Sequence, residues 1–241
     1  MSMNGSLTEE VPMTAPSASP TRTRRGQAGP PLLVPALSLA VLTVAGAVIG
    51  GSGPRPESTP EEVLAYAAAN PTLMTVGAAL LLGTAFPLVV YAATAVTRYR
   101  RLGVAAPGPL MGFAGAVMAA ASVSLSALFS WTAAQVAPLG DATLAKALSQ
   151  LWFATGAFGF AAPMGLLVLG LAVPAVVLRF LPAWLAWAGM AVGVLALLST
   201  FALITPALYA LIPVGRFGGL LFLLAVAVLL PWRVDSNAVR Q

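Results

Sequence analysis

The chain contains no cysteine and no histidine. The first absence removes disulfides, thiol nucleophiles and thiolate metal sites. The second removes axial histidine ligands to haem, histidine bases and the HExxH zinc motif. Charge is scarce as well. Charged residues make up 8% of the 241, where a soluble domain carries about 25%. Hydrophobic residues make up 59%, and the mean hydropathy is +0.92. These values put the chain in the membrane class. The net charge of +5 is mostly arginine at the ends of apolar runs, which sets orientation. With no basic-aromatic surface and little soluble mass, nucleic acid is not an expected partner. The expected partner is the lipid bilayer. A second copy of the chain or a membrane partner protein stays open, and no cofactor is expected.

What is present is a series of apolar runs. They predict an all-α fold: a polytopic transmembrane bundle of six spans, with short extracytoplasmic interfacial helices. Residues 1–29 are rich in Ser, Thr, Pro and Gly, and predict a disordered cytoplasmic tail. Residues 30–232 form the membrane domain and 233–241 a second cytoplasmic tail. Arg22, Arg24 and Arg25 precede the first run, Pro31 to Gly51. That run is longer than the apolar part of a signal peptide, so an uncleaved first span is the preferred reading. The second span is expected from Thr72 to Ala95, the third from Leu110 to Val136, and the fourth from Leu151 to Leu178. The fifth is expected from Ala183 to Ile204 and the sixth from Phe217 to Trp232. Thr205 to Gly215 reads as a short outside turn.

Local signals place the shorter elements. Thr59-Pro60-Glu61-Glu62 is a capping box with proline at the first helical position, so a helix runs from Pro60 to Ala69. Asp141 is a good N-cap for a helix that continues into the fourth span. Gly46/Gly50 and Gly189/Gly193 are GxxxG pairs, suited to internal packing or to dimerisation. Gly83-Thr-Ala-Phe-Pro87 and Gly159-Phe-Ala-Ala-Pro163 hint at an internal repeat. Trp184 and Trp187 belong at the membrane interface.

Orientation follows from lysine and arginine in the short loops. With the N-terminus inside, nine of the twelve basic residues lie on the cytoplasmic side, including every multi-arginine cluster. Arg55, Lys146 and Arg216 lie outside. Both termini are then cytoplasmic in a bacterial plasma membrane.

The third run holds the candidate groove. No charge lies between Arg101 and Asp141. As a helix, Leu110 to Val136 reaches roughly 40 Å, more than a hydrocarbon core of about 30 Å. Gly112, Gly115, Ala119, Ser122, Ser126, Ser130 and Ala133 fall within an arc of roughly 80°. Ser122, Ser126 and Ser130 have no histidine base and no membrane lysine to activate them. The stripe reads as a packing seam, and otherwise as the lining of a polar path or lipid groove. Gln135 and Gln150, with Trp131 and Trp152 at similar depth, are candidates for an outer mouth. Arg216 joins them beside Gly215, Gly218 and Gly219. It reads as a snorkelling interfacial anchor or as an anion-attracting residue. Pro87, Pro163 and Pro174 are kink candidates, because a proline frees a backbone carbonyl within a membrane helix.

From Leu64 onward the chain resembles a broad group of uncharacterised six-helix integral membrane proteins of high-GC actinobacteria. The residues that carry the resemblance are Phe180-Leu-Pro-Ala-Trp-Leu-Ala-Trp-Ala-Gly189 and Gly215-Arg-Phe-Gly-Gly219. It implies a plasma-membrane location and a six-helix bundle, and lends no catalytic residues. The function expected is a non-enzymatic integral membrane protein that binds a partner or lipid, as a subunit or sensor. The alternative is a small-molecule or lipid transporter or channel. An intramembrane enzyme ranks last, for want of a base or metal ligand.

Overall fold

The computed structural model describes residues 31–49 and 53–230. The two tails, the arginines they carry, Gly50, Gly51 and Trp232 lie outside the described residues. Among the described residues the chain is helical with short turns, and no strand occurs. Seven α-helices come first: α1 Leu33–Ile49, α2 Pro60–Ala69, α3 Pro71–Arg101, α4 Gly108–Val136, α5 Ala142–Gly156, α6 Phe158–Leu178 and α7 Ala183–Leu198. A last helical run, Pro206–Leu229, completes the order.

Five helical stretches are long and apolar enough to cross a membrane: Pro71–Arg101, Gly108–Leu139, Ala142–Leu178, Ala183–Leu203 and Pro206–Leu229. The chain is therefore a multi-pass membrane protein. Helix α1 is apolar too, but its 17 described residues reach only about 25 Å. The outward faces carry Val34, Val41, Phe86, Trp184, Trp187, Leu221 and Val228, all exposed. Large exposed apolar side chains all round a bundle suit a hydrocarbon surround.

Caps explain where the helices begin and end. Thr59 Oγ1 accepts from the Glu62 amide at 3.3 Å, and Glu62 Oε2 accepts from the Thr59 amide at 3.0 Å. This reciprocal pair starts α2. Asp141 Oδ1 accepts from the Leu144 amide at 3.0 Å and starts α5. Arg98, Arg100 and Arg101 occupy the last turn of α3, where positive charge meets the negative end of the helix dipole.

The core is a set of backbone approaches. Helix α4 packs between α3 and α6, α6 packs on α7, and α1 packs on α3. Gly115 shows why the α4 stripe is small. A Cβ there would lie 2.6 Å from the Pro163 carbonyl oxygen and 2.8 Å from the Leu167 nitrogen. Further along, Ser122 packs against Gly159 and Ser126 against Gly156. The Gly189/Gly193 pair is used internally, against Phe222 and Leu169. Two buried tyrosines tie α3 to its neighbours. Tyr91 donates to the Leu223 carbonyl and Tyr99 to the Leu171 carbonyl, both at 2.9 Å. Such bonds are worth about 0.6 kcal/mol each inside a bilayer, with an upper range of about 2.

Two parts of the chain differ from the reading of the sequence. The fourth span is not one helix. It breaks at Ala157, whose φ of −91° and ψ of −84° are not helical. Pro163 lies in the second turn of α6 and cannot donate to the Gly159 carbonyl. Residues expected as a turn, Thr205 to Gly215, are helical from Pro206 onward. The run starts as 3₁₀ helix over Pro206–Ala210 and passes through a π-helical turn at Val214–Gly218 before regular α-helix resumes at Gly219. Pro206 presets its own φ for a helix start, and the apolar residues 207–214 lack the polar content of an exposed loop.

Candidate functional site

Three helices converge at one end of the bundle, two of them with the same residue spacing. Met74, Gly77, Ala78 and Leu81 lie on one face of α3, at i, i+3, i+4 and i+7. Ser149, Trp152, Phe153 and Gly156 repeat that spacing on α5. Ser126 and Ser130 lie one turn apart on α4. These ten residues line one cavity of about 380 Å³. Gly46 and Ala47 of α1, the segment 53–56, Ala157, Ile212 and Arg216 complete its wall. The volume lies at the lower end of the range of small-molecule sites, about 300–1,000 Å³.

The lip of the cavity is strapped down. Lys146 Nζ donates to the Pro56 and Ser58 carbonyls, both at 2.7 Å. Gln150 Nε2 donates to the Pro56 carbonyl at 2.8 Å. Helix α5 thus holds residues 53–58 across the opening. Trp152 lies directly beneath that segment, where a Cβ on Gly53 would come within 2.5 Å of the indole ring. Ser126 Oγ donates to the Trp152 carbonyl at 2.9 Å, so the same tryptophan is tied to α4 through its backbone. Ser130 and Ser149 are buried in the wall.

Arg216 is the charge in this wall that lies deepest in the bundle. The π-helical turn Val214–Gly218 carries it, and such turns often occur at functional sites. Its guanidinium carbon sits 5.2 Å from the centroid of the Phe160 ring. Its Nε is buried and, among the described residues, has no hydrogen-bond partner. A desolvated cation–π contact is worth about 2 kcal/mol. A buried unpaired donor costs about 1–3 kcal/mol, and more when charged. The contact at most offsets the lost hydrogen bond, so the site holds a cation whose hydrogen bonding is incomplete. The residue as a whole stays partly exposed, while its Nε is enclosed by the wall.

The residues singled out from the sequence fall into two groups. Ser126, Ser130 and Arg216 line the same cavity, and Gln150 stands at its rim through Pro56. Ser122 faces Gly159 and is not part of the wall. Gln135 is exposed on α4, away from the cavity. The kink candidates Pro87, Pro163 and Pro174 lie outside the wall as well. Pro87 is half-buried in α3, the Pro163 carbonyl is covered by Gly115, and Pro174 packs against Gly108. Sequence reasoning missed Ser149, the α3 face and the Lys146 strap. The repeated i, i+3, i+4, i+7 spacing on α3 and α5 was the signal for the first two. Lys146 is the only lysine in the chain. Both its bonds go to backbone carbonyls rather than to a serine hydroxyl, so the arrangement offers no Ser-Lys nucleophile.

Comparison of the chain with protein families, with curated proteins and with solved structures found no match.

Proposed function

We propose that this is a six-span plasma-membrane protein, with both termini cytoplasmic, that binds a lipid-like molecule in the cavity beneath residues 53–58. It acts as a binding subunit or sensor rather than as an enzyme. Helix α1 is the sixth span. Helix α2 and the start of α5 lie at the outer surface, in line with Arg55, Lys146 and Arg216 forming the basic minority of the loop count. The observation that carries the reading is the cavity itself. Its wall is mainly Met, Leu, Ala, Gly and aromatic side chains, with a few hydroxyls, Arg55 at the lip and Arg216 with its Nε buried, as in sites for amphiphiles.

Native mass spectrometry after gentle extraction tests it. The reading expects a bound species of lipid-like mass on the monomer, retained at mild activation. A bare chain from every detergent tried contradicts it.

A second reading, as a transporter, draws on the helix break at Ala157 and the π-helical turn at Val214–Gly218, both beside the cavity. Discontinuous helices next to a site are common in transporters. Flux into liposomes that falls on Ser126→Leu, with folding intact, favours this reading. Absence of any flux favours binding.

A further inference from the structure

The geometry points to an anion site: Arg216 pairs with the carboxylate or phosphate of the cavity's occupant, with apolar parts of that occupant along Met74, Ala78, Leu81 and Ile212. This rests on the cavity being a ligand site and adds the charge of the ligand.

Three observations converge. Arg216 lines the cavity while its Nε lacks a hydrogen-bond partner among the described residues. Phe160 meets the guanidinium through its ring rather than through a hydrogen-bond acceptor, so the contact leaves guanidinium donors for a carboxylate or phosphate. The nearby carboxylates are occupied or turned outward. Glu62 is bonded within its capping box and Asp141 caps α5. Glu57 and Glu61 are exposed, and neither lines the cavity.

The other polar side chains of the wall are also suited to an acceptor. Arg55 stands at the lip, and Ser130 and Ser149 bring hydroxyls that can donate. A neutral occupant would leave the guanidinium incompletely bonded in an apolar surround, where an unpaired charge is most unfavourable. An anion would complete it without disturbing the contact with Phe160.

The source of the anion is either the head of an amphiphile or a small soluble ion, and one experiment separates them. The full chain is placed in nanodiscs of phosphatidylcholine, which has no net charge. The pH is set well above the carboxyl range, so that fatty acids are ionised. Dibrominated stearic acid and the matching dibrominated stearyl alcohol are titrated against tryptophan fluorescence. Trp152 in the wall is the reporter, and Trp152→Phe gives the background. The acid is expected to quench at about tenfold lower concentration than the alcohol. Arg216→Gln should bring the acid to the level of the alcohol, and Arg216→Lys should retain part of the preference. Inorganic phosphate that relieves the quenching assigns the site to a free anion, and phosphate without effect assigns it to an amphiphile's head. Both support an anion site.

Equal quenching by acid and alcohol on the wild type overturns the anion assignment and leaves the cavity reading intact. No Trp152-dependent quenching by either lipid overturns both. The wild-type comparison stands even if Arg216→Gln fails to fold.

Discussion

Arg216 and Phe160 form a cation–π pair, with 5.2 Å between guanidinium carbon and ring centroid. The arginine comes from a π-helical turn and the ring from α6, so the pair joins the last helical run to the middle of the bundle. A cation in an apolar surround is held here by an aromatic face rather than by a carboxylate.

The pair should behave as a coupled unit. Phe160→Leu should lower stability in the wild type, and it should cost less in an Arg216→Gln background, where there is no cation to hold. The coupling expected from a cation–π contact is about 1 kcal/mol. Unfolding midpoints in mild detergent measure it. Strict additivity would show that the contact contributes nothing.

The strap across the cavity makes a kinetic prediction. The chain has no native cysteine, so a single Ser58→Cys gives a clean label. Lys146 Nζ bonds the carbonyls of Pro56 and Ser58, and Lys146→Ala removes both bonds. Maleimide labelling at position 58 should then speed up several-fold. An unchanged rate would mean that Gln150 and the packing of Trp152 hold the segment without the lysine.

The helix seam makes a steric prediction. Gly115→Ala drives a methyl against the Pro163 carbonyl and the Leu167 nitrogen, and backbone cannot rotate away. Overpacking of this kind costs about 1–3 kcal/mol. Gly83→Ala is the control. Its Cβ would meet only Leu42 at 3.6 Å, an ordinary contact, and alanine favours helix over glycine by up to about 1 kcal/mol. Thermal unfolding should separate the two variants in opposite directions. Equal behaviour would contradict the close approach of α4 and α6.

Much of the local structure was legible from short-range chemistry. The Thr59–Glu62 box and the Asp141 cap act within three residues, so their signals survive any tertiary context. The small stripe from Gly112 to Ala133 could be seen as a face, although not which helix would meet it. The break at Ala157 and the π-helical turn at Val214–Gly218 were not legible. Apolar periodicity in a membrane chain is weak, because lipid-facing and core-facing residues are both hydrophobic. The hydrophobic run therefore reads straight through Ala157, and the prolines and glycine of 205–215 read as a turn. The Lys146 strap spans about ninety residues of sequence, and no local pattern encodes it. Arg216 could be placed near the outer end of a helix. That its Nε is buried follows only from the fold of α6 against the last helical run.

The central claim is that the cavity holds a lipid-like molecule, and filling the cavity tests it most directly. Ala78 is buried in the α3 face of the wall, and Ala78→Phe projects a ring into the space. Native mass spectra of wild type and variant, extracted side by side and matched for unfolding midpoint, give the comparison. The account predicts a bound species on the wild type that is lost, or reduced at least several-fold, in Ala78→Phe. The same species at the same occupancy in both proteins would place it elsewhere on the bundle and contradict the account.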